Sequence, residues 1–467
     1  MFRSLASIYA LGLALSVSLL GCAGRAKESV ALYEAGDYAG AGRAADAQLA
    51  QHPDDDNLLG MRIRASLATG DAASVASHYQ RLLDARGGEQ DLDLCRELAS
   101  ATLEQALNSP SAKLKLIAID AVTSAQLTDL AENVAERMED KDDRVVAAAA
   151  TAILHAYPQA PKALGAMLES ENAEARAIAV EGIGKKVGKI AFDDLEKAAN
   201  DRDVRVRRIA IRWLGQLKDA NAVEILARRA KDPDDSVRAA SITALGRIGL
   251  GNLPGYAKQA VGDHSLAVRL AGVDLYVDLS RTLKMDTELG ALAEDENANV
   301  AVEAAIAIKR TDLAQKALDK LVVDDRSEIR AGAANVAIRA VGKEAAKPVL
   351  GKLGQDADAR VRLSAARAMM HVDMTSAAVD IFGAALATPD TAIGAAEGLV
   401  EANDARGAKA LDAVLATANT TALDRISAVQ ALRGTRHITP GLVAALADGN
   451  GIVRMEAAAA LVTIAKS

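Results

Sequence analysis

Six histidines, His52, His78, His155, His264, His371 and His437, are spread along the chain with no two close in sequence. The sequence contains no HExxH pair for zinc, no glycine-rich phosphate loop and no GxSxG nucleophile turn. One stretch groups soft ligands. "RAMMHVDM" at 367–374 holds Met369, Met370, His371 and Met374, residue types that suit copper, although methionines at helical spacing far more often fill a core. Acidic runs at 54–56 ("DDD") and 139–143 ("EDKDD") offer oxygens to calcium, but lack the glycine and terminal glutamate of an EF-hand loop, so solvated turns are the better reading. What remains is an aspartate and an arginine that keep returning six residues apart, as in Asp201 and Arg207, Asp232 and Arg238, or Asp356 and Arg362. A carboxylate beside a guanidinium could do acid–base work. Catalysis needs such a pair once, and this chain writes it many times.

The repetition sets the period of the molecule. Taking the residue before each arginine as an anchor, the anchors fall at Leu114, Val145, Ala175, Val206, Val237, Val268, Val300, Ile329, Val361, Ala392, Asp424 and Val453, spaced 29 to 32 residues apart. Five residues before the anchor stand Asp140, Asp201, Asp232, Asp263, Asp295, Asp324, Asp356 and Asp448. One residue after it stand Arg176, Arg207, Arg238, Arg269, Arg330, Arg362, Arg425 and Arg454, with Lys115 in the first unit. Four after it comes a small residue such as Ala210, Ser241 or Gly272. Anchor, +4, +7 and +8 share one face of a helix, and the segment before each aspartate is amphipathic as well. Each unit therefore reads as two helices joined by an acidic turn. The aspartate is expected to cap the second helix, and each arginine to reach the aspartate of an adjacent unit, making a structural ladder.

Composition agrees with that reading. The chain has 467 residues, half of them apolar but only 2% aromatic, so its cores are thin and made of Ala, Leu, Val and Ile. Alanine is the best helix former because it loses no side-chain entropy. An all-α fold follows. A net charge of −8 argues against nucleic acid as the main partner. The basic stretch "DVRVRRIAIR" at 203–212 is either a local patch or a solvated, salt-bridged helix face. Trp213, the single tryptophan, sits at +7, where other units have Ala152, Ala244, Ala368 and Ala460. It either fills a wider core or marks a contact site.

The period, acidic turn and anchor–arginine pair resemble the HEAT repeat in its short, phycobilisome-lyase-like form, over about residues 92–467. The resemblance implies an α-solenoid, a superhelical array of about twelve helical hairpins, each closing its neighbour's apolar stripe in single file. The units at Ala392 and Asp424 depart most from the pattern. Residues 29–88 have another beat. Gly36-Asp37 and Gly70-Asp71 lie 34 residues apart, and with Ala41 and Pro53 they resemble tetratricopeptide repeats.

The start of the chain, Arg3 followed by an apolar run to Leu20, has the form of a signal peptide. Leu19-Leu20-Gly21-Cys22 resembles the bacterial lipobox, which implies that the Cys22 thiol takes a diacylglycerol after removal of residues 1–21. Ala23, in place of an inner-membrane retention Asp, implies the outer membrane. Cys95 is then left as a buried thiol or an intermolecular disulfide partner. The domain order is thus leader 1–21, lipidated tether 22–28, tetratricopeptide-like hairpins 29–88 and solenoid 89–467. The expected function is a non-enzymatic protein-binding scaffold at the membrane, with no cofactor and no metal. The alternative is an accessory or lyase-like protein that holds a chromophore, metal or modified substrate, since some short-HEAT relatives act in bilin attachment or hydroxylation.

Overall fold

The computed structural model describes residues 25–417 and 420–466. Cys22, the leader and the first residues of the tether lie outside the described residues. Among the described residues there are 28 α-helices, from Lys27–Glu34 to Gly451–Lys466, and no strand. The fold is an all-α solenoid. It divides into two compact units, Met138–Ala385 on one side and, on the other, the chain up to Arg137 together with the chain from Leu386.

In Met138–Ala385 the hairpins run as the sequence predicts, a shorter first helix and a second helix such as Val204–Leu217, Asp235–Ile248 or Leu266–Ser280. Successive second helices stack on one another. The stripe that does the stacking is the predicted one. Val145, Ala175, Val206, Val237, Val268, Val300 and Val361 are buried, and so are the small residues at +4. Their smallness is required at Gly272, where an added Cβ would come within 2.9 Å of both the Ala260 Cβ and the Val261 nitrogen of the preceding helix. The leucines at +8, Leu214 and Leu245, are fully buried, each contributing about 1.5–3 kcal/mol.

The helix starts correct one expectation. The cap of the second helix is not the aspartate at −5 but the residue at −3. Asp142, Asn172, Asp203, Asp234, Asn297 and Asp358 each accept from a backbone N–H of the first turn. The aspartate at −5 lies one step further out. Its carboxylate accepts from the N–H of the capping residue itself, as Asp201 does from Asp203 at 2.7 Å and Asp356 from Asp358 at 2.9 Å. Two carboxylates in series thus organise the turns at 140–142, 201–203, 232–234 and 356–358.

The second compact unit opens with two hairpins, Lys27–Glu34 with Tyr38–Leu49 and Asp56–Thr69 with Ala72–Ala85. Gly36 and Gly70 take positive φ, 82° and 73°, in the turns between helices, and Asp37 and Asp71 cap the helices that follow. Single file does not hold for the two ends of the chain. The last helix, Gly451–Lys466, packs on Leu92–Leu107 and Ala112–Ala125, and Pro440–Ala444 packs on Ala72–Ala85. Hydrogen bonds tie the same elements: Arg96 Nη2 donates to the Ala465 carbonyl at 3.1 Å, and Lys466 Nζ to Gln126 Oε1 at 2.8 Å. The compact units therefore cut across the division at residue 88 suggested by the repeat periods.

Candidate functional site

The repeated aspartates and arginines come together between units. Arg176 grips Asp201 with two parallel bonds of 2.8 Å. Arg238 grips Asp263 with two of 2.9 Å, and Arg330 grips Asp356 at 2.7 and 2.9 Å. Arg207 reaches Asp232 at 2.9 Å, and Arg425 Nε lies 2.8 Å from Asp448 Oδ2. Each arginine also turns inward. The Nη1 of Arg238 donates to the carbonyls of Asp232 and Pro233 in its own turn, at 3.0 and 3.1 Å. Arg269, Arg362 and Arg454 hold their own turns in the same way, through the carbonyls of Asp263, Asp356 and Asp448. One guanidinium thus joins the acidic turn of its own unit to the next, using the planar fork that lysine lacks.

Arg176, Arg207 and Arg238 are buried, and Asp232 is buried to 4% exposure. The facing guanidinium, together with the donated backbone N–H, holds the carboxyls of Asp263 and Asp356 below the usual range. At Asp201, burial pushes the other way, and the bond from Arg176 and the N–H of Asp203 outweigh it. Groups this firmly ionised and paired are built to hold turns together.

The ladder lapses in one stretch. Asp295 accepts from the backbone N–H of Asn297. Asp324 is gripped by Arg326 of its own turn, at 2.9 and 3.0 Å, and its pKa falls to about 2. Val300 is followed by Ala301 rather than arginine.

The other singled-out residues do not converge with one another. Met369 is in the core while His371 is exposed. Cys95 is fully buried and 3.3 Å from the Tyr79 hydroxyl, and burial pushes its thiol up to about 11, which suppresses the reactive thiolate. Trp213 lies over Gly184 of the preceding second helix, where an added Cβ would fall 2.2 Å from the indole Cγ. Its Nε1 donates to Glu181 at 3.0 Å, and the Arg212 guanidinium sits 5.5 Å from its ring centre while also pairing with Glu181. The bulky side chain thus replaces a small one because glycine has vacated the facing slot.

On the other side of Val204–Leu217, between it and Asp235–Ile248, runs a groove of about 310 Å³ lined by Arg208, Arg212 and Arg247 with Ile209, Ala240, Thr243 and Ala244. Arg208 comes from the basic stretch at 203–212. Arg247 was not singled out by the sequence. Its signal is positional: +10 from the anchor puts it on the same exposed ridge as Thr243 at +6.

Residues 160–246 and 192–271 match the family described as HEAT repeats. No curated protein matches the chain. Among solved structures the chain is similar to the CpcE–CpcF complex of the phycocyanin lyase of Nostoc sp., at 19% identity over 59% of this chain and 88% of that one, with a TM-score of 0.23. It is also similar to the YIBA protein of Escherichia coli, at 19% identity over 58% and 92%, TM-score 0.27. A third is human deoxyhypusine hydroxylase in complex with glycerol, at 21% identity over 60% and 97%, TM-score 0.23. Geometry and sequence therefore agree that HEAT repeats make up residues 160–271.

Proposed function

We propose that the protein is a non-enzymatic scaffold that binds a protein partner along the exposed ridge of its second helices, and that the Cys22 lipid holds it at the outer membrane. The observation that carries the binding reading is the division of labour among charged residues. The ladder pairs Arg176, Arg207, Arg238 and Arg330 with carboxylates in the turns, and this fixes the spacing of neighbouring helices. Arg208 and Arg247, on the ridge those helices present, have no ion pair or hydrogen bond among the described residues and are exposed. A rigid frame that displays unused charge is suited to recognising a surface. The hairpins of residues 29–88, which resemble tetratricopeptide repeats, offer a helical surface of their own.

The membrane part rests on the sequence Leu19-Leu20-Gly21-Cys22. Several acyl chains, at about 0.8 kcal/mol per buried methylene, anchor a soluble domain firmly. Two experiments separate these readings. Chemical cross-linking of the full chain in intact envelopes, followed by identification of the joined peptides, should give a stoichiometric protein joined through residues of the second helices. Cross-links confined to the turns, or none, reject the binding reading. Cys22→Ser should move the chain out of the lipid-modified fraction, and retention of labelled palmitate by that variant rejects the anchor.

A further inference from the structure

We infer that the groove between Val204–Leu217 and Asp235–Ile248 takes the acidic part of an extended protein segment whose next residues are basic. This rests on the protein-binding reading and names the chemistry of the segment. The groove is walled by Arg208, Arg212 and Arg247, and no carboxylate lines it. Arg212 is already held by Glu181 and by the Trp213 ring, so it is a fixed wall. The free guanidiniums are Arg208 and Arg247, one from each helix. Ile209, Ala240 and Ala244 give the floor an apolar strip between them, which suits the backbone and small side chains of an extended chain better than a bare inorganic anion.

The sign of the surface changes one repeat further on. Position +6 carries Arg212 and then Thr243 over the groove, and Asp274 in the following unit; position +10 carries Arg247 and then Asp278. Glu303 stands beside them on Ala298–Ala307 but is gripped by Arg339 at 2.6 and 3.2 Å, and Asp278 faces Arg281 at 3.5 Å; partial burial together with Glu303 and Asp278 raises the Asp274 carboxyl above its ordinary range. Asp274, whose side chain still reaches solvent, is the one of these three carboxylates with no ion pair among the described residues. A long polyanion lying in the groove would run onto Asp274, whereas a segment that turns from acidic to basic meets the opposite charge in both places. Second helices sit about 8–10 Å apart and an extended chain advances about 3.3 Å per residue. The groove's centre lies about one and a half spacings from the Asp274 helix, so about four residues separate the two patches.

The probes are two synthetic peptides of the same composition, two glutamates and two lysines spaced by alanines, one with the acids and bases in separate blocks and one with them alternating. Binding to the full chain is read from Trp213, the only tryptophan, whose ring lies 5.5 Å from the guanidinium of the groove residue Arg212. The block peptide should change the indole emission and bind at least tenfold more tightly than the alternating one. Arg208→Ser with Arg247→Ser should weaken it at least tenfold, and Asp274→Asn with Asp278→Asn should remove the preference for the block order. Equal binding of the two peptides, displacement by inorganic phosphate at equal concentration, or an undiminished affinity in the double arginine variant overturns the inference. If envelope cross-linking still captures a protein through the second helices of that double variant, the groove is rejected while the scaffold reading stands.

Discussion

Two stretches of the Met138–Ala385 unit solve the same stacking problem differently. From Ala173 to Ser280 the second helices are long and pack closely on one another, and an arginine ties each turn to the next. From Asp286 to Val341 the second helices touch lightly. Ala298–Ala307 has only 10 residues and carries no ladder arginine. There a first helix takes over: Thr311–Val322, with 12 residues against 7 in Phe192–Ala198, packs on both of the second helices that flank it. A repeat interface can thus be held from its ridge, with the ladder locking the spacing, or from its outer layer, in which case the ladder is dispensable.

The sharpest way to break that contrast is to remove Asp232. Its side chain accepts from Arg207, Arg229 and the Asp234 N–H in the interior, so Asp232→Ala strands a buried guanidinium and should cost about 3–5 kcal/mol in chemical denaturation. The counterpart Asp295→Ala loses a bond to the Asn297 N–H and should cost under about 1 kcal/mol. A similar loss at both sites would mean that the ladder contributes no more than an ordinary turn. Next in size, Arg238→Ala removes a bidentate pair and two carbonyl contacts, for an expected loss of about 2–3 kcal/mol; an unchanged melting temperature would make the pair ornamental.

Hydrogen exchange sharpens the comparison without mutation. Amides of Ala298–Ala307 should open with free energies about 1–2 kcal/mol below those of Val204–Leu217, and equal protection would refute the claim that the two interfaces differ in strength. The smallest effect is on pH dependence. Asp201, Asp263 and Asp356 titrate lower in the folded chain than in the unfolded one. Their contribution is therefore complete above the unfolded carboxylate value of about 3.9 and disappears as pH falls through the lower folded values. The denaturation midpoint should stay flat from neutrality to about pH 5 and drop below it, less steeply in Arg238→Ala. Identical acid limbs would contradict the assignment.

The repeat period and the small residue at +4 were legible because every unit restates them, and the pairing of Arg176, Arg207, Arg238 and Arg330 with the next turn followed from that order. The cap was misread for a local reason. Asp at −5 is the more uniform letter, but the geometry of a helix start favours the mixed Asp and Asn at −3. The groove was half legible: Arg208 stood in a visible run, whereas Arg247 is an isolated letter until two helices bring it alongside. The meeting of the chain ends was hidden by its sequence separation. Its one trace is Gly451–Lys466, whose buried residues include Val453, Met455, Ala457 to Ala460, Leu461, Val462 and Ile464. A helix apolar on so many sides needs cover on more than one flank.

That last helix also sets a timetable. Leu92–Leu107 leaves the ribosome some 350 residues before the helix that covers it, and at about 5–20 residues per second its apolar flank waits on the order of 20–70 seconds for a lid. During that interval the early helices must be sheltered by something other than their final neighbour. A truncation that removes only the final helix should therefore trap the N-terminal unit in the sticky form it otherwise passes through briefly.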